Sequence, residues 1–303
     1  MTYEQSTSPW RLGGLSGTEL GRRVWSGINE DEVLDRAAAL SYYIVFALFP
    51  GLLFLCSLLG FLPIQGLQQT FMNYLGRVLP GESHALVQKT LQEVLHGSNA
   101  SLLSVGAVVA LWTASSGMAA VIGALNVAYH IHDPRPWWKR RLTAIVLTFG
   151  FSILLLAGLV LMVFGPKLGD AAANRWGLQS AFHVVWNVVN VALPVCFVLA
   201  AIALVYYFAP ATKQGWHWVT PGSVVAAVLW LIVSFALRLY VTSFANYNAT
   251  YGSLGGAILL LLWLYLTGVV LLLGAEINSE IETAAAQRGN ESAKPAGEHR
   301  AAA

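Results

Sequence analysis

Long runs free of Asp, Glu, Lys and Arg organise this chain. Six of them, at 37–76, 94–132, 142–166, 176–212, 214–237 and 239–275, are each long enough for one spanning helix, which needs about 20 mostly apolar residues. The spans are predicted at about 37–62, 102–126, 142–165, 183–208, 219–244 and 254–275. The runs lack the two-residue alternation and regular turn punctuation of barrel strands, so helices are the expected solution. The predicted fold class is all-α, a polytopic membrane protein with six transmembrane helices.

The flanks complete the domain plan. Residues 1–36 are polar and form a cytoplasmic N-terminal segment with an amphipathic helix, in which Leu20, Val24 and Ile28 share one face. The acidic stretch from Asn29 to Asp35 starts the helix that becomes the first span. The transmembrane domain covers 37–282, with an outer helical loop at about 63–100. In that loop Leu67, Phe71, Leu75 and Leu79 form one stripe, Pro80-Gly81 breaks it, and Leu91, Val94 and Leu95 begin another. Residues 283–303 are rich in Ala, Gly and charge and are expected to be a disordered cytoplasmic tail. The polar opening segment does not resemble a cleaved signal peptide.

Composition narrows the class further. Of 303 residues 56% are hydrophobic and 11% charged, with mean hydropathy +0.61, whereas soluble domains carry about a quarter charged residues. A net charge of +2 argues against a nucleic-acid surface. Cys56 and Cys196 both lie in apolar runs, which excludes a disulfide framework or cysteine metal site. Twelve Lys and Arg fall in the N-terminal segment, the 130–141 loop, Lys213 and the C-terminal tail, against four in the other three loops. That bias places both termini in the cytoplasm, with Trp137, Trp138, Trp216 and Trp218 bordering the cytoplasmic ends.

Candidate chemistry is sparse. His130, His132 and Asp133 form an H-x-H-D cluster before Pro134, but no third strong ligand follows at helical spacing, so no metal site is expected. Ser115-Ser116-Gly117 sits in the second span, yet the histidine nearest a span is His183, so these serines are read as small packing residues. No nucleotide fingerprint or pair of intramembrane carboxylates appears, and no cofactor or catalytic residue is assigned. Pro50 and Pro194 fall near the middle of the first and fourth spans and predict kinks. Each opens a three-span half, which fits either an inverted repeat or the ordinary frequency of proline in membrane helices. Gly252 and Gly256 form a GxxxG spacing read as close helix packing.

Arg238 is the one formal charge inside a predicted span. Trp230, Ser234, Arg238 and Thr242 recur every four residues, and Tyr247 and Tyr251 follow near the outer mouth. Arg238 lies roughly 9 Å from the outer end of its helix, so the guanidinium either snorkels to the headgroups or binds an anion. Glu276, the nearest acid of the following helix, belongs to the opposite face of the membrane and cannot pair with it. The expected ligand-binding set is therefore Arg238, Ser234, Thr242, Tyr247 and Tyr251, around a cavity for an anionic amphiphile.

Several segments, in order, carry a family resemblance. They are Ala37 to Tyr43 through Phe49-Pro50, Trp138 to Arg141, Tyr206 to Pro210, and Pro221-Gly222 with Trp230. Tyr251 to Gly255, Trp263-Leu264-Tyr265 and Leu273 to Asn278 complete the set. Over roughly residues 20–282 the chain resembles the YihY/BrkB family of bacterial inner-membrane proteins. The resemblance implies a multi-pass protein of the bacterial inner (plasma) membrane. Family members have been labelled ribonuclease BN and virulence factor BrkB, the latter for serum resistance. Others have been linked to movement of lipid or lipopolysaccharide precursors. It supplies no catalytic residue to carry over, and phosphodiester hydrolysis needs metal-binding carboxylates or a positioned acid–base pair. The expected role is non-enzymatic transport or handling of an anionic lipid or envelope precursor, with a membrane scaffold as the alternative. The expected partners are membrane lipids and not nucleic acid; the sequence assigns no oligomeric state.

Overall fold

The computed structural model describes residues 9–61, 73, 100–176, 179–211, 220–243 and 247–288. Every regular element among them is helical. A short 3-10 turn at Pro9–Gly14 precedes α1 (Gly17–Glu30) and α2 (Val33–Phe61). Then follow α3 (Ala100–Ala128), α4 (Trp137–Trp176), α5 (Gln179–Phe208), α6 (Pro221–Ser243) and α7 (Tyr247–Gln287). Each of the six uncharged runs therefore contains one long helix. Among the described residues Gly106–Ala128, Trp137–Gly158, Pro221–Tyr240 and Gly255–Gln287 are long and apolar enough to cross a membrane, and Val195–Phe208 is a shorter apolar helix. The expected outer helical loop lies almost wholly outside the described residues.

Local signals explain where the helices start and stop. Ser16 Oγ accepts the Glu19 N–H at 3.2 Å, and Glu19 adds its charge to the first turn of α1. The Asp31 N–H closes α1 on the Gly27 carbonyl, and Glu32, at φ +51°, turns the chain into α2. Thr220 and Ser223 cap α6 reciprocally: each side-chain oxygen accepts the other's backbone N–H, at 3.2 and 3.0 Å. Pro221 stands at the first helical position, where its missing N–H costs nothing. The helices run through both Pro50 and Pro194 without a break.

The residues divide into two compact units. The first comprises 1–46, 116–147 and 199–303, the second 47–115 and 148–198. In the second unit Phe54 is buried and faces Phe149 at 6.2 Å between ring centroids. Gly158 there leaves space that the Phe197 ring approaches.

The core of the first unit is made largely of small residues. Ala37, Ala144, Ala209, Ala226 and Ala275 are fully buried beside Ile122, Leu125 and Leu272. Lipid is as apolar as leucine, so helices gain from close approach of backbones rather than from burial alone. α6 and α7 show this directly. A Cβ on Gly222 would overlap the Gly274 carbonyl, and one on Gly274 would meet the Tyr206 hydroxyl and, at 2.6 Å, the Gly222 carbonyl. Farther along, Trp230 Nε1–H donates to Thr267 and Trp263 Nε1–H donates to Ser234, both at 3.2 Å. Close packing was expected at Gly252 and Gly256. The side of the helix at Gly252 lies outside what is described, and a Cβ on Gly256 meets nothing within 4 Å. The tight positions are Gly268, against Ala37, and Gly274, because these stretches of α7 are the ones crossed by neighbouring backbones. By contrast, Val228, Leu231, Ile232, Phe235, Leu239, Ile258 and Leu261 are exposed, as side chains facing lipid would be.

The N-terminal segment follows expectation in its pattern. Leu20, Val24 and Ile28 form the less exposed face of α1, which packs on α7. The last helix runs to Gln287, past Thr283, where the disordered tail was expected to begin. Ile281 and Ala284 are buried there, and Gly13 lies close against both. Contact with the N-terminal turn is what keeps the end of α7 helical. Residues 289–303 lie outside the described residues.

Gly274→Ala is expected to destabilise the protein by about 1–3 kcal/mol, because its methyl has no free volume to enter. Gly256→Ala is expected to stay within about 0.5 kcal/mol of the parent. Thermal unfolding in detergent checks both, and equal melting temperatures would contradict this packing.

Candidate functional site

Polar groups collect where the helix pairs of the first unit begin and end. α2 leaves this region after Asp31 and α3 returns to it at His130. α4 leaves after Arg135 and α5 returns at Ala209; α6 leaves at Gly222 and α7 returns at Glu276. Three hydrogen-bonded groups stitch these points together.

The first is centred on Asp133. Arg135 grips its carboxylate with Nε on Oδ1 at 2.8 Å and Nη2 on Oδ2 at 3.0 Å, and adds its backbone N–H at 3.0 Å. The same Nη2 donates to the Ala209 carbonyl at 3.0 Å. Asn126 donates to Asp133 Oδ2 at 3.0 Å and accepts the Ala211 N–H at 2.8 Å. Desolvation pushes the Asp133 carboxyl up, but the hydrogen bonds from Arg135 and the charges of Arg135 and Arg140 outweigh it and hold the group below its ordinary value.

The second group is centred on Asn278. Its Oδ1 accepts the Gly222 N–H at 2.9 Å, one of the donors that the first turn of α6 leaves without a partner inside the helix. Its Nδ2 donates to the Tyr129 hydroxyl at 3.3 Å. Nearby, the Tyr206 hydroxyl donates to the Leu271 carbonyl at 2.6 Å.

The third group joins Asp31, His130 and Glu276. His130 Nε2 lies 2.9 Å from Asp31 Oδ2, and Nδ1 lies 3.3 Å from Ser279 Oγ. One ligand-capable atom from each of Asp31, His130 and Glu276 lies within 4.8 Å of the others. Glu276 is fully buried, and a Cβ on Gly27 of α1 would overlap its carboxylate. The end of α3 aims the imidazole. The Ile131 N–H bonds to the Asn126 carbonyl and the His130 N–H to the Val127 carbonyl, leaving His130 at φ +55°. This helix-ending pattern ordinarily carries glycine at that position, and a side chain there costs about 1 kcal/mol. Glu280, one turn on from Glu276, is 4.0 Å from Arg23, which also pairs with Glu19.

The H-x-H-D cluster is thereby split. His130 turns to Asp31 and Glu276, Asp133 turns to Arg135, and His132 is exposed. Asp31 and Glu276 were missed as companions of His130 because no local spacing connects them; for Glu276 alone a signal was available, an acid directly following a long apolar run. Ser115 donates to the Trp112 carbonyl of its own helix at 2.7 Å, and Ser116 accepts from Arg141 at 3.2 Å. Of the expected ligand set, Arg238 is exposed, close to the apolar stripe of Leu231 and Phe235, and Ser234 accepts the Trp263 indole. The side chains of Thr242, Tyr247 and Tyr251 lie outside what is described.

A carboxyl held below its unfolded value stabilises the fold above that value, and this contribution is lost as pH falls through the folded value. Asp133→Asn is therefore expected to melt below the parent at neutral pH. The gap should narrow once pH drops below the ordinary carboxylate range. Melting curves in detergent between pH 3 and 7 check this, and a gap independent of pH would contradict it.

The family model described as Virulence factor BrkB matches residues 24–298. A ribonuclease-like protein, YfkH, of Bacillus subtilis (strain 168) is 35% identical over 258 residues, covering 85% of this chain and 93% of that protein. A UPF0761 membrane protein of Stenotrophomonas maltophilia (strain K279a) is 27% identical over 270 residues, covering 86% of this chain and 60% of its own. Another, from Pseudomonas aeruginosa (strain LESB58), is 25% identical over 268 residues, 86% of this chain and 62% of its own. The chain thus spans about three-fifths of these UPF0761 relatives. No solved structure matches it. The family match over most of the sequence, with its long apolar helices, makes this chain a membrane protein of the BrkB family.

Proposed function

We propose that this is a six-span protein of the bacterial inner membrane, with both termini cytoplasmic, that handles an anionic lipid or lipid-linked envelope precursor without catalysing its chemistry. The observation that carries the reading is Arg238. It is exposed on a helix surface that also presents Leu231, Phe235, Leu239 and Tyr240. A guanidinium beside such a surface, about 9 Å from the helix end by helical rise, reaches the headgroup layer, where its planar fork matches a lipid phosphate. The anion is met from the exposed side of α6 rather than in an enclosed cavity.

The topology is supported by the three helix pairs that leave and return to one polar region, and by the Lys and Arg bias toward that side. The ribonuclease-like name belongs to the Bacillus relative. For this chain, the serine that donates into its own helix and the aspartate clamped by arginine favour a non-enzymatic role.

Detergent-purified protein is expected to retain phosphatidylglycerol in preference to phosphatidylethanolamine, read by mass spectrometry of co-purified lipid. Arg238→Gln should lower that retention about tenfold, the worth of one charge-assisted contact. Arg238→Lys should lower it as well, because an ammonium cannot make the paired contact. Undiminished retention in Arg238→Gln would remove the proposal.

For the topology, a cysteine replacing exposed His132 should react with an impermeant thiol reagent only after the cells are opened. Cysteines at Gly81 and Asn248 should react in intact cells. Labelling at position 132 from outside would overturn the orientation.

A further inference from the structure

We infer that Asp31, His130 and Glu276 form a site for one divalent transition-metal ion, of the Zn2+ or Mn2+ class, that ties α1 and α2 to the end of α3 and to α7. The inference is independent of Arg238. Three features of the geometry converge on it.

The first is the donor set. Two carboxylates and an imidazole present atoms within 4.8 Å of one another, with His130 Nε2 and Asp31 Oδ2 at 2.9 Å. Ligands about 2.1 Å from an ion stand about 3.0–3.4 Å apart in octahedral or tetrahedral sites, so the histidine–Asp31 pair already has that spacing and the set closes on an ion by side-chain movement of roughly 1 Å. Nitrogen and carboxylate oxygen suit Zn2+ and Mn2+, and a double positive charge balances two acids held together away from water.

The second is the orientation of the histidine. Nδ1 is 3.3 Å from Ser279 Oγ, so in the tautomer whose Nδ1–H donates to that hydroxyl the lone pair of Nε2 is turned to the two carboxylates, the state an ion would select. A histidine that binds metal characteristically gives its other N–H to such a partner. The backbone at His130 suits glycine better than any side chain, so the helix end alone does not account for an imidazole there.

The third is the enclosure. Gly27 has no Cβ, and that missing atom is what admits the Glu276 carboxylate beside α1. The side chains of His130 and Asp31 are only 13% and 11% exposed, and Glu276 is fully buried. The three side chains are thus drawn largely out of water, and three protein ligands leave a further position at the ion for water or another donor.

The full chain, purified without a polyhistidine tag, tests this. It is expected to carry one ion per chain by elemental mass spectrometry. Stripping with a chelator should lower its melting temperature, and adding Zn2+ or Mn2+ should restore it. The decisive variant is His130→Gly, because glycine suits the left-handed backbone and keeps the fold while removing a ligand. Competition against a chromogenic chelator should show its affinity for Zn2+ reduced on the order of a hundredfold. Glu276→Gln should fall similarly, whereas His132→Ala should bind like the parent. Wild-type protein that neither carries an ion nor gains thermal stability from Zn2+ or Mn2+ would overturn the inference. Undiminished Zn2+ binding by His130→Gly would overturn it equally.

Discussion

Glu276 is a carboxylate buried at the end of a long apolar helix, and nothing in a hydrocarbon layer or a packed alanine core can solvate it. Three further polar side chains, Asn278, Ser279 and Glu280, are buried within one turn of it. Such groups are held only where other parts of the same chain come to meet them. Gly27 makes the space, Asp31 and His130 approach Glu276, Gly222 and Tyr129 take up Asn278, and Arg23 approaches Glu280. The end of α7 therefore sets where α1, α3 and α6 can lie. The returning helices are positioned by what they bring to it.

The packing between helices answers the same constraint from the apolar side. Van der Waals contact in lipid is gained by bringing backbones together. Gly222 and Gly274 allow this at the very level where Asn278 crosses to α6. A larger residue at either place would separate the helices and break the polar contact with them. Farther from the cluster the interface changes character, and Trp230 and Trp263 reach across to Thr267 and Ser234. There the indoles fill volume and satisfy their own N–H groups.

α6 links two unlike environments. Gly222 at its start is joined to the buried cluster, while Arg238 is about 24 Å farther along by helical rise and exposed. At the first end a backbone N–H is met by the buried Asn278 amide; at the second a charge is offered outward. A rigid polar knot at one end gives α6 a fixed frame from which to present its guanidinium.

The sequence by itself determined where the helices run, because exclusion of charge from a hydrocarbon layer acts residue by residue and leaves uninterrupted apolar runs. It also marked the amphipathic face of α1 and the isolation of Arg238, both local properties of spacing. Which residues meet was decided by the tertiary structure. Asp31, His130 and Glu276 lie on three elements separated by most of the chain, and only the approach of those elements puts them in one place. His130 could be read with equal ease toward His132 and Asp133, its neighbours in sequence. The left-handed turn at the end of α3 sends its ring the other way, while Arg135 captures Asp133. The absence of a neighbour at Gly256 among the described residues has a related reason. A GxxxG spacing states that a helix can be approached closely, but whether a neighbour does so depends on where that neighbour's backbone passes, and here it passes Gly268 and Gly274 rather than Gly256.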